Sequence, residues 1–378
     1  MSSHTPKEYD LVVLGATGYT GKYVAEYVTS HLPTTLKWAV AGRSETKLSS
    51  LVDELRTLNP DRMAPGIEVA NLSPDDLDNL VRKTYILINT VGPYHLYSSP
   101  VVEACAQNGT HYLDVTGEAP WVLDMIQKHH STAQSSSAII IPEIGIESAP
   151  SDLLTWSLAT LIRQKCGTGI TSTNATVYEM NSRPSGGTLA TILTTFDSYS
   201  PRQVASANSG RWASSPVPPP PPPSKSSSSY VSSLARIFRR IIGVRTLPHL
   251  GLVIPSPGAG PNVNIVQRSW GLQDRGAYYG PRFSYHEYAS VRNRLVGWLV
   301  HTAIMLGALS LVFPPVRWLA KKLVFAPGQG VSREDAARDR MEFWAVATAD
   351  EGEGGRAGRS GSPGRRLRGF GSRGGCIT

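Results

Sequence analysis

The sequence predicts an α/β chain in which a parallel sheet carries helices on its faces and a second α+β domain follows. Three observations support this. Short β-branched runs alternate with helical patterns through the first 150 residues, and the first run breaks at a glycine turn straight into a helix. Near residue 171 the texture then changes to the period-two alternation of antiparallel strands. The 378 residues give room for two domains, and a hydrophobic content of 40% is enough to fill their cores.

The run 9–14 reads as a buried parallel strand, and the helix after it shows Val24, Tyr27, Val28 and His31 on one face. Between them lies Gly15-Ala16-Thr17-Gly18-Tyr19-Thr20-Gly21. Gly15 permits the tight turn, Gly18 lets backbone approach a pyrophosphate, and Gly21 lets helix and strand pack closely. The positive helix end then faces the phosphates. All seven residues are candidate cofactor contacts. The reading is a Rossmann dinucleotide-binding domain over residues 1–150; the alternative is a Rossmann-like domain that keeps the turn without its ligand. The second strand, 36–43, ends in Gly42-Arg43-Ser44, with Lys47 one turn later and no carboxylate before Glu45. A guanidinium at this place pairs with a 2′-phosphate where a carboxylate would repel it, which favours NADP over NAD and adds Arg43 and Ser44 to the site. Otherwise Arg43 only solvates a loop.

Helix 48–58, strand 66–70 and helix 73–83 follow, the last with acids in its first turn. Strand 85–91 ends in Gly92-Pro93-Tyr94. Ligands bind beyond the carboxyl ends of such strands, so Asn89, Val91, Gly92 and Pro93 are placed toward the nicotinamide half. Helix 100–108 and strand 110–114 lead to Val115-Thr116-Gly117-Glu118 on the same edge. Helix 121–130 and strand 138–142 complete this domain, and residues 145–152 enter a helix at 153–164.

The second domain spans 151–350. Residues 173–181 read as an antiparallel strand. Ser185-Gly186-Gly187-Thr188 precedes a helix at 189–198 and is either an anion-holding turn or a plain N-cap. Residues 214–229 form a proline and serine insertion, polyproline-like or disordered rather than packed. Ser269, 271–276 and 281–288 read as strands and turns. Residues 295–313 are nineteen positions without a formal charge, flanked by Arg292 and Arg294 before and by Pro314, Pro315, Arg317, Lys321 and Lys322 after. Basic flanks on both sides suit a re-entrant hairpin or a segment lying in a membrane interface, with 316–325 as its second arm; the other reading is a buried helix. His301 and the glycines weaken a simple span.

Of the net charge of +8, half comes from the Arg/Gly tail 351–378, with six arginines against two glutamates, and this tail is expected to be disordered. No basic stripe is interleaved with aromatics, so nucleic acid is not an expected partner. Cys105, Cys166 and Cys376 make neither a disulfide framework nor a metal cluster, which fits a reducing compartment, and no metal site is expected. Residues 1–10 have no apolar core, so no secretory signal is expected there. The dinucleotide site is expected on the cytosolic side of any membrane.

The ordered motifs resemble the saccharopine dehydrogenase-like oxidoreductases, a family including the mycobacterial trans-acting enoyl reductases. The resemblance runs from the Gly15 to Gly21 turn through Ala41-Gly42-Arg43 and Asn89-Thr90-Val91-Gly92-Pro93-Tyr94 to Pro100-Val101-Val102-Glu103-Ala104-Cys105. It continues in Gly109-Thr110-His111-Tyr112-Leu113-Asp114, Gly117-Glu118 and Ser185-Gly186-Gly187-Thr188, and covers about residues 8–350. It implies a Rossmann domain with a second α+β domain, association with membranes or lipid droplets, and reduction of a lipid-linked or polyketide-type substrate. The expected location is a lipid droplet or the endoplasmic reticulum membrane, cytosolic face, with mitochondrial or plasma membrane as alternatives; the oligomeric state is left open, a homodimer being one option. Two departures stand out. The family's Gly-Phe-Asp-Ser-Ile-Pro is here Gly145-Ile146-Glu147-Ser148-Ala149-Pro150. The helix that members carry after 345–350 is replaced by the Arg/Gly stretch, which reads as translation out of frame or through an intron.

Hydride transfer to an enoyl or carbonyl group needs a proton donor. None of the 15 tyrosines has lysine four residues later, the pair that short-chain reductases use. Cys105 falls in a packing helix, unlike the nucleophile of semialdehyde and acyl-phosphate reductases. The donor candidates at strand ends are Tyr94, Glu118 and Glu147, each with a structural role as its alternative. An NADP-dependent enoyl or carbonyl reductase of a glycolipid or other lipid-linked substrate is the leading expectation. A non-catalytic NADP-binding sensor, or a lipid-droplet or membrane scaffold, is the alternative.

Overall fold

The computed structural model describes residues 7–181, 186–210, 212–221, 242–322, 330–350, 366–369 and 374–375. Strands β1 (Tyr9–Leu14), β2 (Trp38–Gly42), β3 (Gly66–Val69), β4 (Thr84–Asn89), β5 (His111–Asp114) and β6 (Ile140–Ile141) form a parallel sheet in the order β3-β2-β1-β4-β5-β6. Helices α1 (Tyr19–His31), α2 (Glu45–Leu58), α3 (Pro74–Arg82), α4 (Tyr94–Tyr97), α5 (Ser99–Asn108) and α6 (Ala119–Ser136) make the connections.

Both faces of the sheet are covered, and this explains why β1 reads as a continuous apolar run. Leu11 and Val13 pack with Val28, Leu48, Leu51 and Leu55 of α1 and α2. Val12 and Leu14 point the other way, to Leu77, Val101 and Trp121 of α3, α5 and α6. The helix ends follow local chemistry. The hydroxyls of Ser44 and Ser73 accept from the N–H groups of Lys47 and Asp76, and acids occupy both first turns. Leu14 is level with Ala41 and Asn89, and Asn89 with Asp114. The turns leaving β1, β2, β4 and β5 therefore meet at one edge.

After α7 (Ala149–Cys166) the chain builds a second sheet. Its strands are β7 (Ile170–Asn181), β8 (Arg245–Leu247), β9 (Gly251–Pro255), β10 (Ser284–Ser290), β11 (Arg340–Ala349), β12 (Arg366–Gly369) and β13 (Gly374–Gly375). The order is β12-β11-β7-β10-β9-β8, with β13 also on β11; β7 and β10 are parallel and the other pairs antiparallel. Helices α8 (Gly186–Ser198), α9 (Pro201–Ala207), α10 (Ala259–Leu272), α11 (Arg294–Ser310), α12 (Pro314–Lys321) and α13 (Arg333–Ala336) follow among the described residues. Leu158 and Ile162 of α7 and Val266 and Trp270 of α10 cover the sheet together with Tyr279 and Phe283.

Three expectations need correction. Ser269 and Gly271 lie in helix α10, and 274–276 is a short 3-10 turn. The buried face of α10 includes Asn262, Asn264 and Gln267, so its apolar stripe does not show as a helical period. The start of the proline and serine insertion is packed rather than loose. Ser214 is buried and donates to the Asn264 carbonyl at 2.7 Å, the Arg268 guanidinium donates to the Ser214 carbonyl at 2.9 Å, and Val217 packs on the second core. Residues 222–229 lie outside the described residues. In the tail, 366–369 and 374–375 pair with β11, whose free edge accepts extended backbone whatever its side chains.

Asp152, at the start of α7, supplies a pH-dependent test of this domain. One carboxylate oxygen accepts the Ser269 hydroxyl at 2.7 Å; the other is buried and, like the Tyr279 hydroxyl, has no partner among the described residues. Burial raises its pKa to about 6, against 3.8 normally. A carboxyl raised in the folded state contributes stability that is full below the unfolded pKa and is lost as pH rises through the folded one. This contribution, on the order of 2 kcal/mol, should disappear between roughly pH 4 and 6. Asp152→Asn should therefore gain on the wild type in urea midpoint across that window, as followed by fluorescence. A constant difference between the two proteins would exclude Asp152 as the titrating group.

Candidate functional site

At the shared edge, Gly15 sits at φ +81° and its N–H donates to the Ala41 carbonyl at 2.9 Å. The Gly18 N–H donates back to the Gly15 carbonyl at 2.9 Å. A Cβ on Gly21 would fall 2.2 Å from the Gly15 carbonyl oxygen, so this glycine is required by the close approach of α1 to β1. Among the described residues no side chain caps α1, and its first turn holds no carboxylate. The turn thus presents peptide N–H groups and the positive helix end toward an anion. Ala16 is buried, Thr17 exposed, and Tyr19 and Thr20 half-buried along the same turn. Arg43 projects into solvent at the end of β2, beside Ser44, whose hydroxyl caps α2.

The third turn is built inward. Asn89 is fully buried; its amide donates to the Ser98 hydroxyl at 2.8 Å and to Tyr112 at 3.1 Å, and its oxygen accepts the Val91 N–H at 3.0 Å. It therefore shapes the turn rather than lining it. Thr90 donates to the Leu14 carbonyl at 2.8 Å, and its hydroxyl and Val91 stand where a Cβ on Gly15 would go. Val91 and Gly92 are half-buried and Pro93 is buried, and Tyr94 opens α4.

The three donor candidates sit differently. Tyr94 is buried against Trp121, with its hydroxyl donating to the Asn89 carbonyl at 3.2 Å, and burial and Asp114 raise its pKa well above normal. The Glu118 carboxylate accepts the backbone N–H groups of Tyr94 and His95, each at 2.7 Å, the Thr191 hydroxyl of α8 at 3.0 Å and the ring Nδ1 of His95 at 2.5 Å. Glu147 keeps its side chain open to solvent, while the surrounding protein mass desolvates the carboxyl and raises its pKa.

Next to these lies a buried acidic pair that periodicity does not show. Asp114 accepts the N–H groups of Thr116 and Glu143 at 3.0 and 2.9 Å and the Tyr112 hydroxyl at 2.8 Å. Burial, opposed by these bonds, pushes it up to about 6. Burial and Asp114 together raise Glu143 well above the carboxylate range. Cys105 is completely buried and its thiol is pushed up, which makes it inert.

Residues 11–141 match the family model of the saccharopine dehydrogenase NADP-binding domain. A trans-acting enoyl reductase of Mycobacterium bovis is 30% identical over 365 residues, covering 93% of this chain and 83% of that protein. The chain belongs to the saccharopine dehydrogenase-like oxidoreductases. A saccharopine dehydrogenase-like oxidoreductase of Rattus norvegicus is 37% identical over 159 residues, 39% of this chain and 36% of that one. A lipid droplet localized protein of Caenorhabditis elegans is 37% identical over 148 residues, 38% of this chain and 35% of that one. The chain is accordingly an NADP-dependent oxidoreductase of this family, and the residues fit the cofactor. Among the described residues the Gly15 to Gly21 turn has no side-chain cap, and β2 is followed by the exposed Arg43 rather than by an acid.

Within this family fold, Arg43→Ala should weaken NADPH binding roughly 10- to 100-fold, the range of one or two charge-assisted hydrogen bonds. NADH binding should stay within about twofold of the wild type on this argument. Tryptophan fluorescence titration measures both. Equal losses for the two nucleotides would show that Arg43 does not face the 2′-phosphate.

The apolar segment 295–325 needs correcting in form. Among the described residues no single helix is long and apolar enough to cross a membrane; α11 and α12 pass that test only together, and they meet at 103°. The first axis ends at Ser310, and the double proline opens the second. Gly297 and His301 form the protein-facing stripe of α11, with Gly297 against Val291 and Val244. Leu306, Leu309, Phe313 and Trp318 are each about 60% exposed. Residues 323–325 lie outside the described residues. The Gly-Gly-Thr turn survives only as the start of α8, and Ser185 is likewise outside.

Proposed function

We propose that this oxidoreductase uses NADPH to reduce an enoyl or carbonyl group on a lipid-linked substrate at a membrane or lipid-droplet surface. The observation that carries the reading is the path of α8. Thr191 reaches Glu118 at the sheet edge, while Asp197 pairs with Arg317 and Lys321 of α12 at 3.2 and 2.9 Å. Six residues of helix, about 9 Å, thus separate the cofactor edge from the exposed apolar elbow. Each large apolar side chain withdrawn from water there is worth about 1.5–3 kcal/mol, so a few suffice for interfacial binding. The names of the mycobacterial and nematode relatives support the reaction and the surface respectively. NADPH, when bound, would supply the hydride. The protein's share is to hold its phosphates on the glycine turn and Arg43, with Gly92 and Pro93 beside the nicotinamide half.

The test is NADPH consumption by purified protein with trans-2-hexadecenoyl-CoA or a 3-keto analogue on phosphatidylcholine vesicles. Turnover that rises with vesicle surface supports the proposal. Tight NADPH binding with no consumption by either acceptor overturns it in favour of a non-catalytic sensor.

A further inference from the structure

We propose that His95, held by Glu118, is the proton donor of this reduction, an inference that rests on the reductase reading above. His95 follows Tyr94 in the first turn of α4, directly after the 89–93 turn assigned to the nicotinamide half. Its side chain is 1% exposed and that of Glu118 is 3%. Four donors converge on the two Glu118 oxygens, and one of them is His95 Nδ1 at 2.5 Å. A carboxylate accepting from Nδ1 fixes the tautomer and orientation of the ring, leaving Nε2 as the working nitrogen. Nε2 is buried and has no hydrogen-bond partner among the described residues. An unpartnered buried nitrogen costs free energy, so a histidine serving packing alone would normally have it satisfied. Thr191 on α8 and the Tyr199 ring, 6.3 Å away, close the other side.

Tyr94 and Glu118 are committed, and Glu147 is the rival that the variants below separate. The Tyr94 hydroxyl is bonded to backbone, and both Glu118 oxygens are taken up by four donors. With NADPH bound, the cofactor would supply hydride to the β-carbon of the enoyl group, and the double-bond electron pair would move to the α-carbon. That carbon takes the proton from Nε2 of the imidazolium: a C–H bond forms, the N–H bond breaks, and neutral His95 is reprotonated from water.

His95→Asn is the decisive variant, because its amide stands near the Nδ1 position and keeps a donor to Glu118 while Nε2 is removed. With trans-2-hexadecenoyl-CoA, kcat should fall roughly 100-fold or more, as for loss of a general acid. KM and the NADPH dissociation constant should stay within about threefold of wild type, because binding groups are untouched. Retained kcat, or a loss in Glu147→Gln with His95→Asn unaffected, overturns the assignment. A second measurement needs no turnover: the His95 Nε2 resonance, assigned in 15N-histidine spectra by its loss in His95→Asn, should shift when NADPH and palmitoyl-CoA bind. An unshifted Nε2 overturns the proposal. Wild-type protein inert toward the enoyl probe but showing that shift keeps a bound ligand against Nε2 and locates the failure in the substrate reading.

Discussion

Gly21→Ala is expected to abolish measurable NADPH binding and to destabilise the first domain by at least about 3 kcal/mol, the upper end of core overpacking. The new methyl would meet the Gly15 carbonyl oxygen at 2.2 Å and the Ala16 Cα at 2.8 Å, both backbone atoms. Neither can move aside as the end of a long side chain could. Relief requires α1 to lift from β1, which carries the first-turn N–H groups away from the phosphates they are placed to meet. Stability and affinity therefore fall together. Gly18→Ala is the control, since its Cβ would meet the Gly15 oxygen at 3.3 Å, tight but tolerable. It should stay within about 1 kcal/mol of wild-type stability, as for a small overpacking, while lowering affinity. Urea unfolding and fluorescence titration of both variants check this. Equal behaviour of the two would mean that the third glycine is not needed for helix–strand contact.

The readable parts of this chain are those where one physical demand dominates several neighbouring residues. β1 is buried on both faces and so reads as an unbroken apolar run, and the glycines follow because backbone must approach backbone. NADP is readable because the cofactor's extra phosphate disfavours an acid at the end of β2, and none stands there. The proton donor is less readable. Glu118 and His95 are 23 residues apart, and nothing in their spacing shows that strand order brings one carboxylate over the first turn of α4. Asn89 misleads for a related reason. It occupies the cofactor edge in sequence, yet its side chain turns inward to satisfy Val91, Ser98 and Tyr112. Helix α10 hides because half its buried face is amide, and a hydrophobic period sees only Val266 and Trp270. The run 295–313 shows its hydrophobicity but not its bend, which depends on two prolines and on one arginine that sequence alone places among the flanking charges.

That arginine gives the second large effect expected, on lipid association. Arg317 is buried, and its guanidinium donates to the Leu311 and Val312 carbonyls at 2.8 and 3.1 Å, inside the corner between α11 and α12. It also donates to Asp197 of α8 at 3.2 Å and lies over the Phe196 ring. One side chain thus satisfies carbonyls left open at the end of α11, sets the 103° elbow and ties it to α8. Arg317→Met keeps the apolar stem and removes all of these bonds. Asp197 is 44% exposed and retains Lys321, so its share of the loss is small. The carbonyls dominate, at roughly 1–3 kcal/mol for each polar group left buried and unpaired. The elbow should open, and co-flotation with phosphatidylcholine vesicles should fall about tenfold, the equivalent of 1.4 kcal/mol. NADPH affinity should stay within about twofold, because Arg317 touches neither the glycine turn nor Arg43. Asp197→Ala should weaken flotation far less. Flotation unchanged in Arg317→Met would show that the exposed side chains bind lipid without the elbow. Flotation lost equally in both variants would place the coupling in the ion pair with α8.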